Sequence, residues 1–222
     1  MPEIYFIRHG QASFGSENYD NLSNLGKRQS KIVGSYFKKI DLTFDRIISG
    51  TLNRQLQTCN HIIKEISFSN DPEKTILLNE YNVRSVLLGY VGNRDLTKEE
   101  KFDEKIHFIL LKKAITAWSK NKIKLAKADT WVNFQKRGLD VLNFVRKFNN
   151  KRTLVISSAG TISMIIAQIL ELPERQFVNF HLQLYNTGFS KVIFDKNGAY
   201  LSLFNSIAHL ENIGDPKIIS HV

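Results

Sequence analysis

The pattern of apolar and polar positions predicts a chain that alternates between strands and helices. Residues 4–7, 44–49 and 153–157 are short apolar runs, and unbroken runs of this length are typical of strands buried on both faces of a sheet. Segments with apolar residues at helical spacing follow these runs. We therefore predict an α/β fold, a three-layer α/β/α sandwich with a mainly parallel central sheet.

Three helices can be placed from their apolar spacing and their flanking residues. Ser23 is expected to cap the first helix, which spans 25–40. The second helix is expected over 52–66 and has Arg54 in its first turn. The third is expected over 161–170, directly after a Ser-Ala-Gly turn that ends a strand.

Residues 67–129 interrupt this alternation. Polar loops there accompany one amphipathic stretch, and its apolar residues are expected to line one side of a helix: Phe102, Ile106, Ile109, Leu110, Ala114 and Trp118. We interpret the segment as a helical excursion from a single domain that spans residues 1–222.

Regular elements return after this excursion. Asp129 or Thr130 is expected to cap a helix with the apolar residues Trp131, Phe134, Leu142, Val145 and Phe148. A hairpin is expected from 189–194 and 200–204, which flank an Asp-Lys-Asn-Gly turn. The Phe-His-Leu sequence around His181 is interpreted as a connector beside the sheet.

Charge and cysteine content narrow the function classes. The chain has 31 Lys and Arg against 21 Asp and Glu, and this formal net charge of +10 favours anionic partners. Its basic residues are scattered rather than concentrated on one element, so nucleic-acid binding is the weakest interpretation. Cys59 is the only cysteine, which excludes an internal disulfide, and no Cys/His cluster has zinc spacing.

The N-terminal sequence and the hydropathy predict a cytoplasmic protein. The apolar run at 4–7 has no basic segment before it and no small-residue cleavage site after it. No apolar stretch has transmembrane length, so we expect neither secretion nor membrane insertion. A lone cysteine suits a reducing compartment.

Arg8-His9-Gly10, at the end of the first predicted strand, is the strongest candidate for chemistry. Open α/β sheets bind ligands at the carboxyl ends of their strands. The tripeptide joins a guanidinium group, which can bind phosphate oxygens, to an imidazole, which can act as a nucleophile. Taken alone, it is also compatible with a histidine that only forms hydrogen bonds at a strand end.

Further motifs resemble the phosphoglycerate mutase-like histidine phosphatases in order and in spacing. The matching segments are Arg8-His9-Gly10, Leu22-Ser23-Asn24-Leu25-Gly26-Lys27-Arg28-Gln29, Ser49 with Arg54 and Thr58, Glu80, and Asn205-Ser206-Ile207-Ala208-His209-Leu210. The resemblance thus covers nearly the whole chain, although 67–129 matches only at Glu80.

One position departs from the usual pattern of that family. Ser158 stands where a Ser-His-Gly-Gly motif has a second histidine that binds the transferred phosphoryl group. The segment Gln11-Ala12-Ser13-Phe14-Gly15, together with Tyr19-Asp20, resembles a bacterial branch in which Ser-Ser-Gly-Gly replaces this motif. The serine removes a strong donor, which affects the expected rate more than the expected fold.

The resemblance implies a phosphatase that hydrolyses phosphate monoesters through a phosphohistidine on His9, with Glu80 transferring protons. The residues expected at the substrate phosphate are Arg8, Arg54, Ser158, Gly160 and His209. The N-terminus of the helix after Ser158 adds an anion site through its backbone N–H groups. No metal and no other cofactor is expected.

The expected partner is a small phosphorylated molecule or a phosphopeptide, and a homodimer stays open. Two other functions stay open as well. A phosphomutase must retain the phosphoryl group for a second transfer, which the missing second histidine disfavours. A phospholigand-binding pseudoenzyme would keep Arg8 and Arg54 but turn over poorly, and Ser158 is its main support.

Overall fold

The computed structural model describes residues 1–13, 20–92, 94–125, 130–147 and 152–221. The strands are β1 (Glu3–Arg8), β2 (Arg46–Ser49), β3 (Glu73–Lys74), β4 (Arg152–Ser157), β5 (Phe189–Phe194) and β6 (Ala199–Ser206). The α-helices are α1 (Asn24–Lys39), α2 (Asn53–Ile66), α3 (Val83–Val91), α4 (Lys98–Phe102), α5 (Glu104–Ser119), α6 (Trp131–Arg146), α7 (Ala159–Ile169), α8 (Glu174–Gln183) and α9 (Ala208–Glu211). Two 3₁₀ turns span Ile76–Leu78 and Pro216–Ile218.

The described strands form one sheet in the order β3-β2-β4-β1-β5-β6. The pairs β3–β2, β2–β4 and β4–β1 are parallel, whereas β1–β5 and β5–β6 are antiparallel. The predicted hairpin is confirmed as β5 and β6, and its turn is closed by Asp195 N–H donating to the Gly198 carbonyl at 3.0 Å. The mainly parallel sheet is confirmed.

Helices cover both faces of this sheet, which confirms the three layers. Alternate residues of β1 enter opposite cores, because successive side chains of a strand point to opposite faces. Ile4 and Phe6 pack with residues of α6 and α7, including Val141. Tyr5 and Ile7 pack with residues of α1 and α2.

The caps follow the sequence prediction where the structure describes them. The Ser23 hydroxyl accepts from Gly26 N–H at 3.0 Å and begins α1. Thr130 caps α6 through its hydroxyl, which accepts from Asn133 N–H. Predictions for five other residues lie outside the described part of the chain: Phe14, Gly15, Tyr19, Asp129 and Phe148.

The segment 67–129 is helical in large part, but its predicted apolar side is wrong for three residues. Asp103 separates α4 from α5 and caps α5, its carboxylate accepting from Ile106 N–H at 2.9 Å. Phe102 lies before this break, and Ile106 and Ile109 lie in the first two turns of α5; these three side chains are 57%, 40% and 46% exposed. The residues of this stretch that are buried are Leu110, Ala114, Ile115 and Trp118.

Two further elements differ from the sequence prediction. His181 belongs to α8 rather than to a connector, because Phe177 and His181 are one turn apart and bury the same helix face. That face packs in an aromatic cluster, which we define as Tyr81, Trp118, Trp131, Phe134, Phe177 and His181. Helix α7 begins at Ala159, two residues earlier than predicted, so Gly160 lies in its first turn.

Within the described ranges, no helix combines the length and the apolar composition needed to cross a membrane.

Candidate active site

The candidate site lies at the carboxyl edge of the parallel strands. His9 follows β1, Arg54 lies at the start of α2 after β2, and Ser158 follows β4. Because β2, β4 and β1 are neighbours and parallel, their carboxyl ends meet at one edge of the sheet. The fold therefore brings together motifs that are about 150 residues apart in the sequence.

His9 is held in one tautomer. Its Nε2 lies 3.0 Å from Nε of Arg54, and its Nδ1 lies 2.7 Å from the Gly10 carbonyl oxygen. A guanidinium group always donates, so Nε2 accepts and is unprotonated. Nδ1 therefore has the proton and donates a hydrogen bond to the carbonyl, while the lone pair of Nε2 is bound by Arg54.

Burial and positive charge keep the imidazole of His9 neutral. The side chain is buried, and this burial, followed by the charges of Arg54 and Arg8, holds the pKa of His9 well below 6.5. A neutral imidazole is the form that can act as a nucleophile.

Gly10 lets the backbone approach α1 closely. A Cβ on Gly10 would lie 2.4 Å from the Gly26 carbonyl oxygen, a distance that side chains do not tolerate. The Gly10 N–H donates to the Thr58 hydroxyl at 3.0 Å, and that hydroxyl donates to the Arg54 carbonyl. The His9 loop and the start of α2 are thereby fixed to each other.

Arg54 is oriented by Asp20, a contact that the sequence did not predict. Arg54 Nη1 lies 2.5 Å from Asp20 Oδ1, and the other carboxylate oxygen accepts from Asn53 N–H at 2.9 Å. The Asp20 carboxylate therefore binds both the guanidinium group and the N-terminus of α2. Arg54 is only 8% exposed, and this contact leaves its Nε to His9.

Glu80 reaches the N-terminus of α7. Its Oε2 accepts from Gly160 N–H at 2.8 Å, and its Oε1 accepts from Tyr81 N–H at 3.1 Å. A Cβ on Gly160 would lie 2.4 Å from Glu80 Oε1 and 2.6 Å from Tyr81 Cε1, so only glycine fits. In this structure the Gly160 N–H binds the Glu80 carboxylate, and the expected contact of Gly160 with the substrate phosphate stays a prediction.

Ser158 is buried beside Gln55, a second contact that the sequence did not predict. Its hydroxyl oxygen accepts from Gln55 Nε2 at 2.9 Å, and the same nitrogen donates to the Leu78 carbonyl. Ser158 is the N-terminal cap of α7 by position but makes no side-chain capping bond. Its hydroxyl oxygen is thus oriented by α2 rather than by its own helix.

Arg8 and His209 have different surroundings. The guanidinium group of Arg8 donates to the Leu184 carbonyl, and its charge is close enough to lower the pKa of His9. His209 lies between Tyr36 and Phe189, with Nε2 2.9 Å from the Thr187 hydroxyl. Thr187 N–H donates to the carbonyls of Arg8 and His9, so among the described residues Thr187 lies between His209 and the His9 loop, and a contact of His209 with the substrate phosphate stays a prediction.

His181 is a buried histidine near the site whose position the sequence did not reveal. Its Nε2 lies 3.0 Å from the Tyr81 hydroxyl, and its ring stacks on Phe177. Burial lowers the pKa of His181, with smaller and opposite effects from the charges of Glu80 and Arg8. The helical spacing of Phe177 and His181 was the signal that could have found it.

A cavity of about 700 Å³ opens beside Arg54 and Glu80. Its wall includes residues of α3 and α4, from the helical excursion. Among the residues that the structure describes, no group of three or more His, Cys, Asp and Glu side chains could hold a metal ion.

A neutral, oriented imidazole beside an arginine, with a carboxylate bound to the N-terminus of α7, is an arrangement chemically suited to phosphoryl transfer. The chain belongs to the histidine phosphatase superfamily (branch 1), whose sequence profile matches residues 4–207. The resemblance to the histidine phosphatases that was inferred from the motifs is confirmed at the level of the superfamily.

The sequence relatives are mutases and phosphatases. The chain is 30% identical over 112 residues to the 2,3-bisphosphoglycerate-dependent phosphoglycerate mutase of Actinobacillus pleuropneumoniae. That alignment covers 47% of this chain and 48% of the mutase, so the chain spans about half the length of the curated relatives it matches.

Solved structures of phosphatases share the fold. A phosphoserine phosphatase mutant from Entamoeba histolytica, in complex with phosphoserine, has a TM-score of 0.67 at 20% identity and covers 95% of this chain and 100% of its own. A mycobacterial glucosyl-3-phosphoglycerate phosphatase has a TM-score of 0.67 at 15% identity, with 94% and 100% covered. Because the sequence identities are only 20% and 15%, the similarity to these two structures shows a shared fold.

Proposed function

We propose that this protein hydrolyses phosphate monoesters through a phosphohistidine on Nε2 of His9. The observation that supports this most directly is the 3.0 Å contact between Arg54 Nε and His9 Nε2. It places an unprotonated nucleophilic nitrogen next to a group that binds phosphate oxygens.

In the first step, the phosphate of the ester takes over N–H groups of Arg54, which frees the lone pair of His9 Nε2. The bond between Nε2 and phosphorus forms as the bond from phosphorus to the ester oxygen breaks. Glu80, in its carboxylic acid form, gives its proton to the leaving oxygen.

In the second step, water attacks the phosphorus of the phosphohistidine. The Glu80 carboxylate accepts a proton from this water, and the electron pair of the breaking bond returns to Nε2. Glu80 thus acts first as an acid and then as a base, and the enzyme returns to its starting state.

The charges of Arg8 and Arg54 and the N-terminus of α7 stabilise the phosphoryl group in both steps. In this scheme they offset the charge of the phosphate dianion without a metal ion. The proposed substrates are small phosphorylated molecules, and the proposed compartment is the cytoplasm, because the chain holds a single cysteine.

Ser158 favours hydrolysis over mutase activity. A mutase must hold the phosphoryl group for return to a reoriented intermediate, and a neutral hydroxyl binds it more weakly than a histidine does. A phospholigand-binding protein without turnover is the second candidate, supported by the Ser158 hydroxyl that accepts from Gln55 in place of a charged donor.

The test is steady-state hydrolysis of 4-nitrophenyl phosphate by the wild type, by His9→Ala and by the control His61→Ala, each with and without chelator. His61 lies on the same helix as Arg54 but outside the site. We expect activity in the wild type and in His61→Ala, unaffected by chelator, and none in His9→Ala. Equal activity in the wild type and His9→Ala would overturn the proposed nucleophile. Folded wild type without activity on several phosphate esters would favour the binding protein.

A further inference from the structure

The cavity beside Arg54 and Glu80 is larger than a phosphate group requires. Its volume is about 700 Å³, within the range of about 300–1,000 Å³ that holds drug-sized ligands. Arg54 and Glu80 form the part of its wall at which the proposed phosphoryl transfer takes place. The rest of the wall therefore faces the leaving group of the ester.

Part of this wall is aliphatic. The residues that contribute are Leu52, Val83, Leu87 and Leu96. Leu87 is buried, and the others are partly buried. Surface of this kind stabilises a carbon skeleton through burial of apolar area and does not bind a fully hydroxylated one equally well.

The same wall presents two basic side chains, Arg84 from α3 and Lys101 from α4. Both are exposed, and within the described part of the chain neither makes an ion pair. Of the two glutamates on α4, Glu100 is bound to both Nη atoms of Arg94 at 2.6 Å, and Glu99 is exposed outside the cavity wall.

The carboxylate on the cavity wall does not neutralise this charge. The Glu80 carboxylate is bound by two backbone groups, since it accepts from Gly160 N–H and Tyr81 N–H. Arg54 is paired with Asp20 and binds the transferred phosphate in the proposed reaction, so the positive charge that this wall offers to a second anion belongs to Arg84 and Lys101. A second anion, separated from the phosphate by an apolar body, is the chemistry that complements this wall.

We propose that the substrate is a small phosphate monoester with a partly apolar leaving group that ends in a second anionic group, bound by Arg84 and Lys101. This inference rests on the proposed function, since it assigns the leaving group of that reaction. The aliphatic residues contact the body of the leaving group, and the two basic residues select its far end.

The test compares two substrates that differ only in the far charge. The charged substrate is 3-(4-phosphonooxyphenyl)propanoate, and the neutral substrate is the corresponding propanamide. Two methylene groups separate the carboxylate or amide from the aromatic ring, so both phosphate esters have nearly the same intrinsic reactivity. The enzymes are the wild type, the double variant Arg84→Gln/Lys101→Gln and the control Lys98→Gln, which removes a charge from α4 outside the cavity wall.

We expect the wild type to prefer the acid about tenfold in kcat/KM, an amount typical of partly exposed charge pairs acting together. The double variant should lose this preference, whereas Lys98→Gln should keep it. The preference for the acid should also fall with added salt, because Arg84 and Lys101 are exposed and salt screens exposed charges. Equal kcat/KM for acid and amide in the wild type would overturn the proposal, as would a double variant that retains the preference.

A binding experiment separates failure of this inference from failure of the proposed function. The phosphonate analogues of the acid and the amide, which cannot be hydrolysed, are titrated into wild type and double variant by calorimetry. If the wild type binds the acid analogue more tightly than the amide analogue and the double variant does not, the second-anion site is supported even when no ester is hydrolysed. If the wild type binds both analogues equally tightly, the second-anion site is rejected even when both esters are hydrolysed. A phosphotyrosine peptide with neutral flanks that is hydrolysed faster than the acid would overturn it as well.

Discussion

Nε of Arg54 donates to Nε2 of His9 at 3.0 Å, and this contact defines the tautomer of the histidine and leaves Nε2 unprotonated. The same guanidinium group binds Asp20 through Nη1, so Asp20 fixes the orientation in which Nε reaches His9. A substrate phosphate that takes over N–H groups of Arg54 would release the Nε2 lone pair as it binds. In the proposed mechanism, substrate binding and activation of the nucleophile are therefore coupled.

Arg54→Lys should lower kcat by about 10²-fold or more, the effect typical of removing one transition-state donor. A single ammonium group cannot contact Asp20, His9 and the phosphate with the geometry of a planar fork. Steady-state kinetics on 4-nitrophenyl phosphate checks this, with Arg28→Lys as the matched control on an exposed arginine of α1. Wild-type activity in Arg54→Lys would contradict the coupling.

Gly160→Ala should reduce activity by displacing Glu80. The added Cβ would lie 2.4 Å from Glu80 Oε1, and overpacking of this kind also costs about 1–3 kcal/mol of stability. Gly198→Ala is the control, because a Cβ there meets no atom within 4 Å. Kinetics and chemical denaturation measure both effects. Equal activity in the two variants would show that the position of Glu80 is not critical.

Ser158→His should raise kcat, since it adds a donor where charge develops in the transition state, and affinity for inorganic phosphate should change less. The imidazole must replace the Gln55–Ser158 hydrogen bond, so a lower thermal midpoint is expected as well. Kinetics, phosphate binding and thermal unfolding are measured on the same preparation. A folded Ser158→His protein with unchanged or lower kcat would count against the role assigned to this position.

His209 should make the fold less stable in mild acid. Burial lowers the pKa of His209 to about 3, so between pH 6.5 and 3 the unfolded chain binds a proton that the native protein does not. Stability therefore falls as the pH falls through this window, by about 2 kcal/mol between pH 7 and pH 5. Urea denaturation at both pH values should show a loss smaller by that amount in His209→Gln. The same loss in both proteins would mean that His209 is protonated in the native state.

Much of the fold could be predicted from local pattern. Apolar runs marked β1, β2 and β4, and Ser23 marked the start of α1, because burial and capping depend on nearby residues. The break at Asp103 was missed, since the amphipathic pattern continues across it. The helix at His181 was missed because the aromatic cluster that buries it comes from several distant elements.

The candidate site was predictable only in part. Parallel strands bring His9, Arg54 and Ser158 to one edge, so motif order was sufficient to group them. The contacts of Asp20 with Arg54 and of Gln55 with Ser158 depend on how loops and helices pack, which spacing does not encode. The same holds for Glu80, whose carboxylate binds Gly160 N–H across 80 positions of sequence.

The central claim, a phosphohistidine on His9, is tested most directly by trapping the intermediate. Wild type, His9→Ala and His61→Ala are mixed with an ester that holds a radiolabelled phosphate, quenched in base within one turnover and digested for peptide mapping. We predict label on the peptide that contains His9, stable in base and lost in acid, in wild type and His61→Ala only. Turnover without labelled enzyme, or label on any other residue, would contradict the account.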